Sequence, residues 1–217
     1  MPTSPTGRCF GDGDPLYEQY HDTEWGVPVR GDRELYERVC LEAFQSGLAW
    51  ITVLRKRPAF REAFAGFDPE RVARFDDEDV ARLLADAGII RNRAKIEASI
   101  ANARAVLGLW DDGQTLTDLL WSHAPERRVR EPRAETYAEV PATTPESRAR
   151  AKALKARGFR FVGPTTAYAA MQACGLVDDH LAGCPVVASA VGTGAERWRR
   201  AGRPRPVEQV VSPSRAP

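Results

Sequence analysis

An all-α fold is what this sequence predicts, on three observations. Apolar residues recur at three- and four-residue intervals almost throughout, and no segment has the strict alternation of a strand. Helix-opening grammar, a capping side chain followed by proline and an acid, occurs at Asp68-Pro69-Glu70 and again at Thr144-Pro145-Glu146.

Taken in order, the chain starts with an irregular stretch. A first helix then runs from Arg33 to Gln45 and ends near Gly47, and a second starts at Ala49 and stops at Arg57, before Pro58. Asp68 caps a short helix directed toward Phe75. Asp76 or Asp77 caps the next, in which Val80, Leu83, Leu84 and Ala87 share one face and Gly88 ends it. A long helix follows Asn92, marked by Ile96, Ile100, Ala103 and Leu107, and closes near Gly108. Thr115 to His123 forms a further short helix. Residues 124–143 are rich in Pro, Arg and Glu without periodicity and read as a surface connection between two lobes. Thr144 opens a basic helix to Arg157, and the final apolar helix spans Thr165 to Cys174. From residue 185 to 217 the composition turns to Ala, Gly, Arg, Pro and Ser, the pattern of a disordered basic tail behind a domain covering 1–184.

The 43% hydrophobic content suffices for a core, and 31 Lys+Arg against 30 Asp+Glu leave a net charge of +1 that neither demands nor excludes a polyanionic partner. The first eight residues lack the apolar run of a secretory signal, and no stretch nears the ~18 apolar residues needed to cross a bilayer. A cytoplasmic chain without a membrane partner is therefore expected. In that reducing setting the four cysteines are buried thiols or metal ligands. Cys40 and Cys174 sit in apolar helices and read as core thiols. Cys9 and His21 at one end, with His180 and Cys184 at the other, offer two thiolates and two imidazoles, a closed tetrahedral set for structural zinc. Two unrelated thiols would give the same pattern.

Several blocks carry a resemblance. Arg8-Cys9, Asp14-Pro15-Leu16-Tyr17 and Tyr20-His21-Asp22-Thr23-Glu24-Trp25-Gly26-Val27-Pro28 come first. Leu41-Glu42-Ala43-Phe44-Gln45-Ser46-Gly47-Leu48-Ala49-Trp50-Ile51-Thr52-Val53-Leu54 and Asp86-Ala87-Gly88-Ile89-Ile90-Arg91 follow. Arg157-Gly158-Phe159-Arg160-Phe161-Val162-Gly163, then Met171-Gln172-Ala173-Cys174-Gly175-Leu176-Val177-Asp178-Asp179-His180, complete the set. In this order they resemble the DNA-3-methyladenine glycosylase I family, with Phe10 standing where tryptophan is common. The resemblance implies a helix-hairpin-helix DNA glycosylase fold of two helical lobes. It also implies one structural zinc per chain on Cys9, His21, His180 and Cys184, clasping the two terminal segments together. It implies excision of 3-methyladenine from alkylated double-stranded DNA by a monomeric enzyme.

A glycosylase extrudes its target nucleotide into a pocket that reads the base by stacking and hydrogen bonding. Tyr17, Tyr20, Trp25 and Trp50 surround Glu42 in sequence, and the resemblance places Tyr20, Glu42 and Trp50 around the base. Glu42 lies three residues after Val39 and seven after Leu35, on the edge of an apolar arc, where a carboxylate needs a partner: a cationic purine, or a neighbouring arginine. Val177-Asp178-Asp179-His180 resembles the Val-Asp-x-His segment whose aspartate supplies charge near the sugar in the wider superfamily, which makes Asp178 a second catalytic candidate, or else a polar cap beside the metal. Leu48 is a candidate wedge for the space vacated by the base. Backbone donors from Gly158 to Gly163, with Arg160 and Thr165, would hold phosphates, inside a basic patch of Arg148, Arg150, Lys152, Lys155 and Arg157 extended by Arg91, Arg93 and Lys95. Such a run also suits a solvated helix face. Thr165 and Thr166 occupy the place where lyase-active relatives carry lysine, so a monofunctional enzyme is expected. The cysteines lack the close grouping of an iron–sulfur cluster. The rival readings are a glycosylase for 7-methylguanine or uracil, and a non-catalytic DNA-binding module.

Overall fold

A computed structural model describes residues 7–187, and among these the regular elements are all helical, with a single isolated bridge between Val129 and Asp178 in place of any strand. The elements are α1 (Pro15–Thr23), α2 (Asp32–Gln45), α3 (Trp50–Ala63), α4 (Pro69–Val72), α5 (Asp77–Ala85), α6 (Arg93–Asp111), α7 (Leu116–Trp121), α8 (Pro145–Ala156) and α9 (Pro164–Ala173), with 3-10 turns at Ala65–Phe67 and Tyr137–Glu139. Side-chain caps set most starts. Asp14, Asp68, Asp76, Asn92, Thr115 and Thr144 each accept from the first-turn backbone, and Asp76, Thr115 and Thr144 belong to reciprocal capping boxes with Asp79, Asp118 and Ser147.

Three expectations about elements are corrected. The supposedly irregular N-terminal stretch contains α1, opened by the same Asp-Pro grammar at Asp14-Pro15. Its amphipathic pattern is short, so periodicity alone does not reveal it. The second helix passes through Pro58 and ends only at Ala63. An interior proline costs about 3 kcal/mol, but the turn beyond it buries Phe60 and Phe64 completely, and each is worth about 2–3 kcal/mol. The long helix runs past Gly108 to Asp111, where Trp110 donates its indole N–H to Asp32 at 2.7 Å.

Buried apolar side chains from Tyr20 to Val177 form one connected core. Helix α2 is its axis and packs on α3, α6, α7 and α9. Phe44, Phe60, Phe64 and Phe67 fill the space between α2 and α3, Phe64 and Phe67 with rings stacked at 5.4 Å. The polypeptide after α9 returns to the first segment. Gly26 N–H donates to Gln172 O at 3.0 Å and Val29 N–H to Cys174 O at 3.1 Å. Gly175 makes this possible, because its φ is +67° and a Cβ there would lie 2.5 Å from the backbone of Val27 and Pro28. Of the tail expected from residue 185, residues 185–187 begin a helical turn, with Val187 N–H donating to Cys184 O at 3.0 Å. The remainder lies outside the described residues.

Candidate active site

Helices α1, α2, α3 and α9 converge on a cavity of roughly 230 Å³ lined by Phe10, Tyr17, Tyr20, Trp25, Glu42, Gln45, Trp50, Tyr137, Ala169 and Gln172. The structure thus brings Tyr17, Tyr20, Trp25, Glu42 and Trp50 together. Tyr20 and Trp50 pack at 5.3 Å between ring centroids, and Phe10 touches Tyr17 at 4.9 Å and Trp25 at 5.1 Å. Sequence reasoning missed Phe10, Gln45, Tyr137, Ala169 and Gln172. Ala169 and Gln172 are three apart on the last helix, a spacing that places both on one face. Tyr137 comes from the aperiodic connection and nothing local marks it.

Glu42 is 5% exposed, and its Oε2 is buried without a hydrogen-bond partner. Burial pushes its carboxyl up to about 8, against a weaker downward pull from the Arg38 charge. The arginine that would have made this an ordinary ion pair is engaged elsewhere: Arg38 Nη2 donates to Glu24 at 2.8 Å, and Arg57 donates to the same carboxylate at 2.6 and 2.7 Å. The indole N–H of Trp50 is also buried and unpartnered. An aromatic box therefore holds one acid and one donor, both without protein partners.

Behind Trp25 lies the cysteine–histidine group. Ligand atoms of Cys9, His21 and Cys184 lie within 4.8 Å of one another. His180 stands outside that trio, its ring 5.2 Å from His21 and 4.6 Å from Trp25. Both histidines are oriented alike. Asp22 Oδ1 holds His21 Nδ1 at 2.7 Å and Asp178 Oδ1 holds His180 Nδ1 at 2.8 Å, and His21 Nε2 meets Cys9 N–H at 3.3 Å and Cys184 Sγ at 3.6 Å. His180 Nε2 is buried with no partner, and Leu181 N–H donates to Cys9 Sγ at 3.2 Å. Two thiols and an imidazole gathered this closely are a donor set suited to a metal ion.

Asp178 is not among the cavity-lining residues. It accepts from Arg133 at 3.1 and 3.2 Å as well as from His180. Burial raises its carboxyl, but these hydrogen bonds outweigh burial and hold it well below the usual carboxylate range. Its neighbour Asp179 faces α9, accepting from Tyr168 at 2.6 Å and from cavity-lining Gln172 at 2.9 Å.

Leu48, 43% exposed, projects from the turn between α2 and α3, where Gly47 has φ +84°. Helices α8 and α9 are joined by a hairpin in which Gly158 adopts φ +89°, and Arg160 and Thr165 are exposed there while Gly163 caps α9. Arg148, Lys152 and Lys155 are exposed on α8. Two members of the expected basic patch are corrected. Arg150 is fully buried with no hydrogen-bond partner on its guanidinium, and Lys95 is 7% exposed with its ammonium on the carbonyls of Phe44 and Ser46. A run of basic residues had concealed two that point inward.

Comparison with known proteins adds to this geometry. The sequence profile described as methyladenine glycosylase matches residues 10–187. DNA-3-methyladenine glycosylase 1 of Escherichia coli (strain K12) is 52% identical over 174 residues, covering 79% of this chain and 91% of the relative. DNA-3-methyladenine glycosylase of Haemophilus influenzae (strain ATCC 51907 / DSM 11121 / KW20 / Rd) is 45% identical over 181 residues, 83% and 97% of the two chains. Among solved structures, that of 3-methyladenine DNA glycosylase I from Staphylococcus aureus, described as the structural basis of 3-methyladenine recognition, superposes with a TM-score of 0.79 at 33% identity, covering 84% of this chain and 97% of that one.

Proposed function

The chain belongs to the methyladenine glycosylase family, DNA glycosylases that hydrolyse N-glycosyl bonds, and we propose that it removes 3-methyladenine by simple hydrolysis and leaves the sugar–phosphate chain uncut. The observation that carries this reading is Glu42: an acid with an unpartnered oxygen, buried among Tyr17, Tyr20, Trp25 and Trp50 in a cavity sized for a single base.

Methylation at N3 makes the purine cationic while it is attached to DNA. A positive charge brought against Glu42 favours its ionised form, and the buried pair then gains a charge-assisted hydrogen bond that a neutral adenine cannot offer. The aromatic walls stack on either kind of base, so the acid carries the selection. In the reaction the C1′–N9 bond breaks with its electron pair going to the base, which leaves uncharged. The sugar cation is captured by water, whose proton goes to solvent. Because the leaving group already bears the charge, little acid catalysis is needed. Asp178, tied to Arg133 and His180, acts on this reading as the support of the metal ligand rather than on the sugar.

Monofunctionality rests on Thr165 and Thr166 at the start of α9, where no lysine is available to attack the sugar. We assign α8, α9 and their hairpin as the helix-hairpin-helix that grips phosphate through Gly158, Arg160, Gly163 and Thr165, with Leu48 as the wedge. Cys9, His21, His180 and Cys184 would hold one structural zinc, joining the two ends of a two-lobed domain covering 1–184. A closed set of four protein donors leaves the ion no place in the reaction. The enzyme would act as a monomer in the cytoplasm. No described helix is long and apolar enough to cross a membrane.

Chromatography of bases released from methylated duplex tests the reading. Wild-type protein should release 3-methyladenine, and Glu42→Ala should release far less. Release of 7-methylguanine or uracil in preference would overturn it, as would no release by zinc-loaded protein.

A further inference from the structure

One face of α6 carries three buried polar residues, Lys95, Ser99 and Asn102, exposed by 7%, 1% and 0%. Their spacing of four and three residues stacks them along the helix over about 10 Å. Such a stripe is costly inside a core unless every group is bonded. Here each has a partner on another element or on its own helix. Lys95 Nζ donates to Phe44 O at 2.9 Å and to Ser46 O at 2.6 Å, the first in the last turn of α2 and the second at the start of the Leu48 turn. Ser99 Oγ donates to Lys95 O at 3.0 Å, and Ser99 O accepts from the Tyr36 hydroxyl of α2 at 2.9 Å. Asn102 Oδ1 accepts from Arg160 N–H at 2.7 Å, and Asn102 Nδ2 donates to Arg160 O at 3.3 Å, so the amide pairs with both backbone groups of one hairpin residue.

The Ser99 bonds stay within α6 and the core, whereas those of Lys95 and Asn102 go to two short backbone segments. Both need holding. The turn after α2 contains Gly47 in a left-handed conformation and an exposed leucine, and the hairpin contains Phe161, exposed and at φ +55°. A left-handed non-glycine residue costs about 1–2 kcal/mol and persists only where its surroundings fix it. The neighbour that fixes Phe161 is Arg160, pinned from both sides by Asn102. The cation of Lys95 also sits at the negative end of α2.

We propose that α6 is a brace: Lys95 and Asn102 are positioning residues that set the Leu48 turn and the α8–α9 hairpin at a fixed separation, so that both meet one duplex in register. This rests on the assignment of those two segments to DNA. Neither residue lines the base cavity.

The test separates duplex binding from base binding. Affinity for a duplex carrying a stable abasic-site analogue and affinity for free 3-methyladenine are measured for wild type, Lys95→Met, Asn102→Ala, Leu48→Ala and Arg160→Ala. Lys95→Met keeps the buried stem and removes only the ammonium, which guards against simple unfolding. The brace predicts that Lys95→Met and Asn102→Ala each weaken duplex binding about tenfold, about 1.4 kcal/mol, with free-base affinity changed less than twofold. Equal losses for both ligands would mark a general structural role and overturn it. So would duplex binding that falls in Leu48→Ala and Arg160→Ala while Lys95→Met and Asn102→Ala stay at the wild-type value. Wild-type duplex affinity in Leu48→Ala and Arg160→Ala would instead defeat the DNA-facing assignment, and the brace with it.

Discussion

At the scale of single residues, Glu42 decides most. Its carboxyl stands at about 8 in the folded protein against 4.5 ordinarily. Below pH 4.5 it is protonated whether folded or not, and the folded state keeps its full relative stability. Between 4.5 and 8 only the unfolded chain ionises, so stability falls as pH rises, and above 8 the loss is complete. Glu42→Gln should abolish that slope. Denaturant unfolding at pH 5 and pH 9 should show the variant gaining roughly 2–4 kcal/mol on wild type at the higher pH, while excision drops about 100-fold. Identical pH slopes would mean that the acid finds a partner in solution. Tyr137 presents a half-exposed ring to the same cavity, and Tyr137→Ala should weaken 3-methyladenine binding by about 1 kcal/mol, the low end for a stacked base. Arg150 makes the opposite kind of prediction. Its guanidinium is buried without a hydrogen bond, so Arg150→Leu should stabilise the protein by about 1–3 kcal/mol in a melting experiment. A lower melting temperature would show that the charge has a partner.

Among the elements, backbone geometry sets the sharpest expectations. Gly175→Ala would drive a Cβ into the backbone of Val27 and Pro28, and α9 cannot shift without losing the bonds from Gly26 and Val29. It should cost more than 3 kcal/mol by equilibrium unfolding. Gly158→Ala meets open space, so only its left-handed φ is penalised, at about 1 kcal/mol. Elements were legible in the sequence where caps and apolar spacing agreed, as at Asp76 or Thr144. They were misread where one local signal was opposed by tertiary packing, as at Pro58, whose breaking tendency loses to Phe60 and Phe64. The site follows the same division. Glu42 was visible as an acid inside an apolar arc, and its ring partners stand close by in sequence. Tyr137 lies 95 residues further on, in a stretch whose position only the fold determines. Lys95 and Arg150 were read as surface charge because composition carries no direction, although both sit on the faces of their helices that carry the buried residues.

For the whole molecule, the neutral total conceals basic residues gathered on α8 and its hairpin. Affinity for undamaged duplex should therefore fall steeply between 50 and 200 mM salt, and a flat response would remove the hairpin from the interface. Metal analysis of purified protein should find one zinc per chain, and stripping it with a chelator should lower the melting temperature by several degrees. The contacts in that region also impose an order of events. Leu181 reaches Cys9 across 172 positions, and Cys184 reaches His21 across 163. At about 5–20 residues per second, a ribosome exposes the first of these partners long before it has made the last. The opening segment must then wait for its distant partners while almost every helix behind it has the chance to form.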